Sequence, residues 1–512
     1  MKTDTHAVID ANRFRVEVAA PYVVTPLGDT PPTTEPPTTT TEPPTTTTEP
    51  PTTTTEPPTG GEPRFSGDVT MPDGFTVPAG ETWALDPTKD TTVTVEKNIV
   101  VLGVLQMRPN AGVDHVVTFA NVNENAMVGG GMMPLATDVG MWVMESGRLD
   151  AAGEPRTGWN RTGTDPTWKT TDEIVVAPTA EGAACTFPAF AGGPVPRLDA
   201  SVPAAEVVNL TRTVRIEGTP DGRSHVFIHS DVPQTITDVA IRWMGPNVLG
   251  RYPLHFHHME NASRGSLIES VVVRDSGDHA FVIHGSHGVT LRDTVAFDIV
   301  DDAYWWDSTR GGQEDNATDD IVYDHIFAGK LSPDTDHPYN LSGILLSAGT
   351  GGVVRDSAAV CVEGPENTGG FNWPAVDVQA WDFDDNVTHH SRNGIVVWQN
   401  DSLPHKVSGF VAYANRVGID HGAYANGYSY DNVLLYRNET GIELHAAARA
   451  DATWACVVER GSTSGVALKI LRSNSATIIP VTFAGSDFEG GVDNATNGQT
   501  TESRVTFTSQ AC

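Results

Sequence analysis

The stretch GRYPLHFHHME, Gly250 to Glu260, gathers three histidines, an arginine and a tyrosine into eleven residues. In an extended strand side chains alternate, so His255 and His257 share one face while Leu254, Phe256 and His258 take the other. Two imidazoles on one face suit two kinds of chemistry. Neutral imidazole ligates divalent ions, and imidazole titrating near neutrality moves protons. Upstream, HVFIH supplies His225 and His229. The metal reading therefore takes His255, His257 and His225 as ligands of one divalent ion, zinc or calcium, with His279 or His284 as alternatives to His225. An HxH pair is a weak signal by itself, since ordinary strands carry histidines too.

The sequence around this stretch repeats. RGSLIESVVVRDSGDHAFVIHG and HGVTLRDTVAFDIVDDAYWWDS align at an offset of 23, with Ile268 on Leu291, Val272 on Val295 and Phe281 on Tyr304. GFVAYANRVGIDH and NVLLYRNETGIEL share that offset, with Tyr413 on Tyr436, Asn415 on Asn438 and Ile419 on Ile442. From Phe65 onward short alternating runs are punctuated by Gly, Pro, Asn and Asp, with almost no helical period. A fixed repeat of this length without helix predicts an all-β chain, a right-handed parallel β-helix with one coil per repeat. Leucine-rich repeats would need regularly spaced leucines, and propeller blades a period of roughly 40 or more.

Equivalent positions of successive coils lie about 4.8 Å apart, which makes the opening stretch one rung of a ladder. Matching PLHFH, AFVIH and AYWWD stacks His257, His284 and Asp307 in one column, the first step being 27 residues. The same match stacks Arg251, Asp278 and Asp301, and beside them Tyr252, His279 and Asp302, all facing one groove. Carboxylates and imidazoles this close act as general acids and bases, tuned by burial and by one another. The candidate catalytic groups are Arg251, His257, Asp278, His279, His284, Asp301 and Asp302. The candidate substrate contacts are Tyr252, Arg274, Trp305 and Trp306, the run from Tyr304 to Trp306 being either packing or a sugar-stacking platform. β-Helices also stack like residues for structure alone, so the cluster carries the reading and no single histidine does.

The 512 residues hold 32 Lys and Arg against 65 Asp and Glu, a formal charge of −33. That field repels phosphate backbones and argues against a nucleic-acid partner. A polyanionic substrate then needs a local basic patch, for which Arg251, Arg264 and Arg274 lie nearest the opening stretch. No apolar run approaches the roughly 18 residues of a membrane span. The first residues lack the apolar core of a secretory signal, so export by another route, a sequence shown without its leader, or membership of a larger assembly is expected. Oligomeric state is open. Residues 31–63 repeat EPPTTTT, with Glu35, Glu42, Glu49 and Glu56 in phase, and form an extended, disordered spacer. The expected organisation is an attachment segment over 1–30, the spacer, a β domain of sandwich or roll type over 64–215, and the β-helix over 216–512. Cys185, Cys361, Cys456 and Cys512 show no CxxC spacing, which leaves Cys456–Cys512 pairing and free buried thiols both open.

With these residues in view, the chain resembles the eight-glycine (G-eight) domain family with its attached β-helix. Animal members of that family include a cell-migration-inducing hyaluronan-binding protein and a cell-surface hyaluronidase. GDVTMPDGFTVPAG and IVVLGVLQM resemble the opening of the eight-glycine domain, and SGRLDAAGEPRTGWNRT with DEIVVAPT its later part. VVNLTRTVRIEG resembles the bridging segment, GRYPLHFH the family signature, and HAFVIHGSHGVTLRDTVAFDIVDDAYWWD the next pair of coils. The resemblance covers roughly residues 65–310. It implies an extracellular all-β protein that binds or depolymerises a glycosaminoglycan-like polysaccharide. Arg251, His255 and His257 match the signature, and His284 matches the histidine of the family's VHG segment. Asp301 and Asp302 depart from it, since the family often shows a glycine–histidine pair there.

Two functions compete. One is a polysaccharide-cleaving enzyme, a hyaluronidase-like glycoside hydrolase or, as a variant, a lyase that removes the proton α to a uronate carboxylate. The other is a non-catalytic carbohydrate-binding or adhesive module of a cell surface or virion. The ladder of ionisable groups favours the first, and the Thr/Pro spacer favours the second.

Overall fold

A computed structural model gives the fold and describes residues 8–9, 16–17, 63–180, 182–191, 205–305, 318–334, 341–346, 349–373, 381–399, 405–424, 427–446, 452–472, 480–494 and 504–512. Residues 31–62 of the 31–63 spacer and most of the segment before it lie outside the described residues. Among the described residues the helical turns are two 3-10 turns, Glu124–Ala126 and Asn261–Ser263.

Short runs rich in Val, Ile, Thr and aromatic residues form strands whose inward side chains meet across a solenoid. Val239–Arg242, Leu254–Glu260 and Leu267–Glu269 follow one another around a coil. Val272–Ser276, Phe281–Ser286 and Thr290–Arg292 stack on them in parallel. Ile268 pairs with Leu291, Val272 with Val295 and Phe281 with Tyr304, so the repeat offset is the coil length there. Tyr413 on Tyr436 and Ile419 on Ile442 hold likewise. This is a parallel β-helix, right-handed as parallel crossovers are. The face containing Leu254–Glu260 is a 14-stranded sheet, and the other two faces join into one 26-stranded sheet.

The ladder starts at Asp68–Met71 and reaches Arg504–Thr508. Residues 64–215 therefore supply the first coils and share sheets with 216–512, where a sandwich or roll was expected. Between Arg148–Ala152 and Val214–Glu217 the chain leaves the solenoid to form a four-stranded sheet, Trp159–Asn160, Val207–Asn209, Glu173–Val176 and Ala189–Ala191 in that order. This antiparallel sheet lies on the outside of the solenoid. It buries Trp159, Val175, Val208 and Leu210 with Val272, Val295, Phe327 and Val411 in a second core.

Polar ties fix the inserted sheet. Trp159 stacks on His325 with centroids 4.2 Å apart, and a disulfide joins Cys185 to Cys361. A second disulfide joins Cys456 to Cys512; the pairing of Cys185 was not legible from spacing. Fully buried His389 places Nε2 2.7 Å from Glu206 Oε2 and Nδ1 2.8 Å from His390 Nδ1, and His390 Nε2 lies 2.8 Å from the Ala180 carbonyl. The two rings thus link the Glu206 carboxylate to the Ala180 carbonyl. Burial pushes the Glu206 carboxyl up, but His389 and Arg161 outweigh it and hold its pKa at about 2.

Candidate functional site

Leu254 and Phe256 enter the core and His255 and His257 face outward, as alternation requires. His258 departs from the expected pattern. It takes a positive φ of 46° at a register shift between His257 and Glu260, and Met259 fills the inward position instead. The extra residue turns the His258 ring outward, 4.4 Å from that of His284. His257 and His284 are register partners, as the repeat predicts.

His255, His257 and His284 each offer a ring nitrogen within 4.8 Å of the others. His255 Nδ1 lies 3.1 Å from the Gly250 carbonyl, which fixes the Nδ1–H tautomer and leaves the Nε2 lone pair available. Among the described residues, that buried Nε2 and the buried Nδ1 of His257 have no hydrogen-bond partner. Burial, then the neighbouring His257, pushes His255 well below the usual imidazole range. Burial, then His284, brings His257 to about 3. Neutral imidazoles, orphaned nitrogens and a backbone-anchored tautomer fit a zinc-type ion, whereas calcium prefers oxygen ligands. His225 is corrected: its Nε2 lies 3.1 Å from the Asp138 carbonyl under Gly140, outside this group.

Beside the histidines, Asp278, His279 and Asp301 form a second group with ligand atoms within 4.8 Å. The Asp302 backbone N–H donates to His279 Nδ1 at 3.2 Å. His279 therefore carries its proton on Nε2, 3.8 Å from Asp278 Oδ1 and 3.9 Å from Asp301 Oδ2. Burial, helped by the charges of Asp301 and Asp334, raises the Asp278 carboxyl well above its ordinary range, against an N–H bond from His279. Tyr252 joins the two groups, its ring 4.9 Å from His255 and 5.2 Å from His279. Half-buried Trp305 stacks on His279 at 4.0 Å.

Other candidates lie elsewhere. Arg251 keeps the backbone register of Asp278 and Asp301, but its fully buried guanidinium turns to Asp138, with Nε–Oδ2 2.8 Å, and lies over Trp142. Burial pushes Asp138 up, yet donors from Val128, Thr137, Gly129 and Arg251 bring it to about 2. Arg274 pairs with Glu173 of the inserted sheet at 2.6 Å, and Arg264 with Asp320 at 2.6 Å, so the expected basic patch is already neutralised. The Asp302 carboxylate accepts the Ser342 backbone N–H and serves as a brace. Trp306 and Asp307 lie outside the described residues.

Sequence reasoning missed two contributors. The bulge that brings in His258 has no sequence mark. Asp138 lies 113 residues from Arg251, so nothing local pairs them. His229, named in the sequence with His225, places its Nδ1 2.8 Å from the His257 carbonyl.

Comparisons with known proteins bear on this same region. Residues 223–317 match the family model "CEMIP beta-helix". Protein rliB of Dictyostelium discoideum is 33% identical over 107 residues, 20% of this chain and 9% of that protein. G8 domain-containing protein DDB_G0286311 of the same organism is 40% identical over 65 residues, 13% of this chain and 4% of that one. Cell surface hyaluronidase CEMIP2 of Homo sapiens is 24% identical over 119 residues, 19% of this chain and 9% of that protein. The chain thus spans less than a tenth of these relatives. Among solved structures, the complex of XylC with xylose aligns over 81% of this chain and 80% of its own, at 9% identity and a TM-score of 0.32. The resemblance read from the motifs stands in the match of residues 223–317 to the CEMIP beta-helix model and in the similarity to G8 domain-containing proteins.

Proposed function

We propose that the chain depolymerises an acidic, glycosaminoglycan-like polysaccharide outside the cell, lying along the face that carries His255, His257, His284, Asp278, His279 and Asp301. The observation carrying this reading is the pair of three-residue groups set side by side through Tyr252. Asp278, kept protonated by burial, is the general acid that donates to the leaving glycosidic oxygen. Asp301 is the second carboxylate, and the His279 Nε2–H lies between the two, 3.8 and 3.9 Å from their oxygens. Half-buried Trp305 offers a ring for a sugar to pack against, and buried Tyr252 supports it from beneath. His255, His257 and His284 would hold a zinc-type ion, which when bound supplies Lewis-acid stabilisation of negative charge. The two disulfides suit an oxidising, extracellular setting. Elimination from a uronate is the variant chemistry, distinguished by the absorbance of its unsaturated product. Incubation with a panel of anionic polysaccharides followed by sizing tests the reading. Shortened chains with wild type but not with Asp278→Asn support it, and intact chains that stay bound favour the adhesive module.

A further inference from the structure

The register of the site face reaches beyond the segment that resembles known proteins. Tyr304, Ile344, Phe371, Ile395, Ile419 and Ile442 are successive partners along it. Three residues before Phe281 and Tyr304 stand Asp278 and Asp301; three before Ile395, Ile419 and Ile442 stand Arg392, Arg416 and Glu439. All five therefore occupy one corner row of the solenoid. Arg392 follows Asp301 by three coils, about 14 Å at about 4.8 Å per coil.

At that point the corner opens into a cleft of ≈ 460 Å³ between the solenoid and the inserted sheet, lined by Arg392, Arg416, Arg437, Glu363 and Glu439 among others. Its far wall, Gly182 to Cys185, is held in place by the Cys185–Cys361 disulfide and by the hydrogen bond between His390 and Ala180. The cleft is therefore preformed. Half-buried Arg392 has no carboxylate partner among the described residues, and its Nε is occluded without a hydrogen bond. Arg416, one coil on, gives one nitrogen to Asn393 at 3.0 Å and lies 3.7 Å from Glu443, while its Nε is likewise occluded and unpaired. Arg416 is thus partly met by Glu443, and Glu363 and Glu439 lie exposed on the rim, which leaves the Arg392 guanidinium as the group open to an anionic ligand.

We propose that Arg392 and Arg416 form an anion-binding subsite for the carboxylate or sulfate groups of a polysaccharide lying along this corner row. The inference rests on the reading of the site face as polysaccharide-acting and adds where the substrate's charge is held. A planar guanidinium suits a carboxylate or sulfate through paired donors. Glu363 and Glu439 on the rim are placed to accept sugar hydroxyls and to disfavour anions bound out of register.

Calorimetric titration of the whole chain tests it, using hyaluronan oligomers for the carboxylate arm, heparin oligomers for the sulfate arm and cello-oligosaccharides as the neutral control. Wild type is expected to bind one anionic series in a salt-dependent way and the neutral series hardly at all. Arg392→Gln and Arg416→Gln should each weaken that binding about tenfold or more. Arg392→Lys, which keeps the charge but not the fork, should recover part of it if the glutamine variant folds poorly. Unchanged affinity in folded Arg392→Gln and Arg416→Gln, or no binding of either anionic series by wild type, overturns the subsite. Oligomer binding lost with the arginines in a protein that cleaves nothing would sink the depolymerase reading and leave the subsite standing.

Discussion

His257 and His284 occupy matched positions on adjacent strands, with ring centroids 5.0 Å apart and planes nearly perpendicular. With His255 they make a donor set of three imidazoles. Zinc supplied during purification should remain at about one ion per chain, and His255→Ala or His257→Ala should lose it. Elemental analysis reads the ion directly, and thermal melts with and without chelator read its contribution to stability. Wild type that retains no ion after exchange into zinc would leave the imidazoles to acid–base chemistry.

Asp278→Asn should lower turnover by ~10²-fold or more while the protein stays folded. The pH profile carries a second signature. The Asp278 carboxyl is raised by burial and by Asp301 and Asp334, and a general acid works only while protonated. Activity should therefore persist above the ordinary carboxyl range and fall on the alkaline side as that proton is lost. An asparagine variant with wild-type turnover would remove Asp278 from the chemistry.

The coil period was legible because it is written in apolar residues that must all face inward; Ile268, Leu291, Phe281 and Tyr304 fixed the register without any structure. The histidine column followed from the same register. Side-chain direction at the corners was not legible. Arg251 stands in the predicted row, yet Asp138, from a distant coil, draws its guanidinium away from Asp278. Arg274 was read as a substrate contact, but the sheet that carries its partner Glu173 is inserted 101 residues earlier. Such pairings depend on which loops fold back over which coils, and no local spacing encodes that.

The buried Glu206–His389 contact joins the inserted sheet to the solenoid. Removing His389 leaves the Glu206 carboxylate to Arg161 alone, so His389→Ala should cost about 1–3 kcal/mol. Denaturant unfolding measures the loss, and hydrogen exchange should show early opening of Glu173–Val176 and Val207–Asn209. A midpoint unchanged from wild type would mean that the disulfide and the apolar contacts suffice.

Acid should destabilise the fold before most carboxylates titrate. Burial, then Arg251, lowers His225 to about 3, and burial lowers His405 to about 4. Burial, then His389, lowers His390 to about 4. Unfolded imidazole titrates near 6.5. Between these values the unfolded chain binds protons that the folded chain refuses, so stability is full above about pH 6.5 and declines as pH falls toward 4 and then 3. Denaturant midpoints across that range should drop steadily, and His405→Phe should flatten part of the slope. A flat series from neutrality to pH 4 would contradict the buried neutral state of these rings.

The most direct test of the central claim is the size of an anionic polysaccharide after incubation with the protein. Hyaluronan and one sulfated glycosaminoglycan, sized by chromatography over a time course, should show progressive shortening of at least one of them by wild type. Asp278→Asn and His257→Ala should leave the same chains long. Chains of unchanged length with wild type in the presence of zinc, or equal shortening by wild type and both variants, would contradict catalysis at this face.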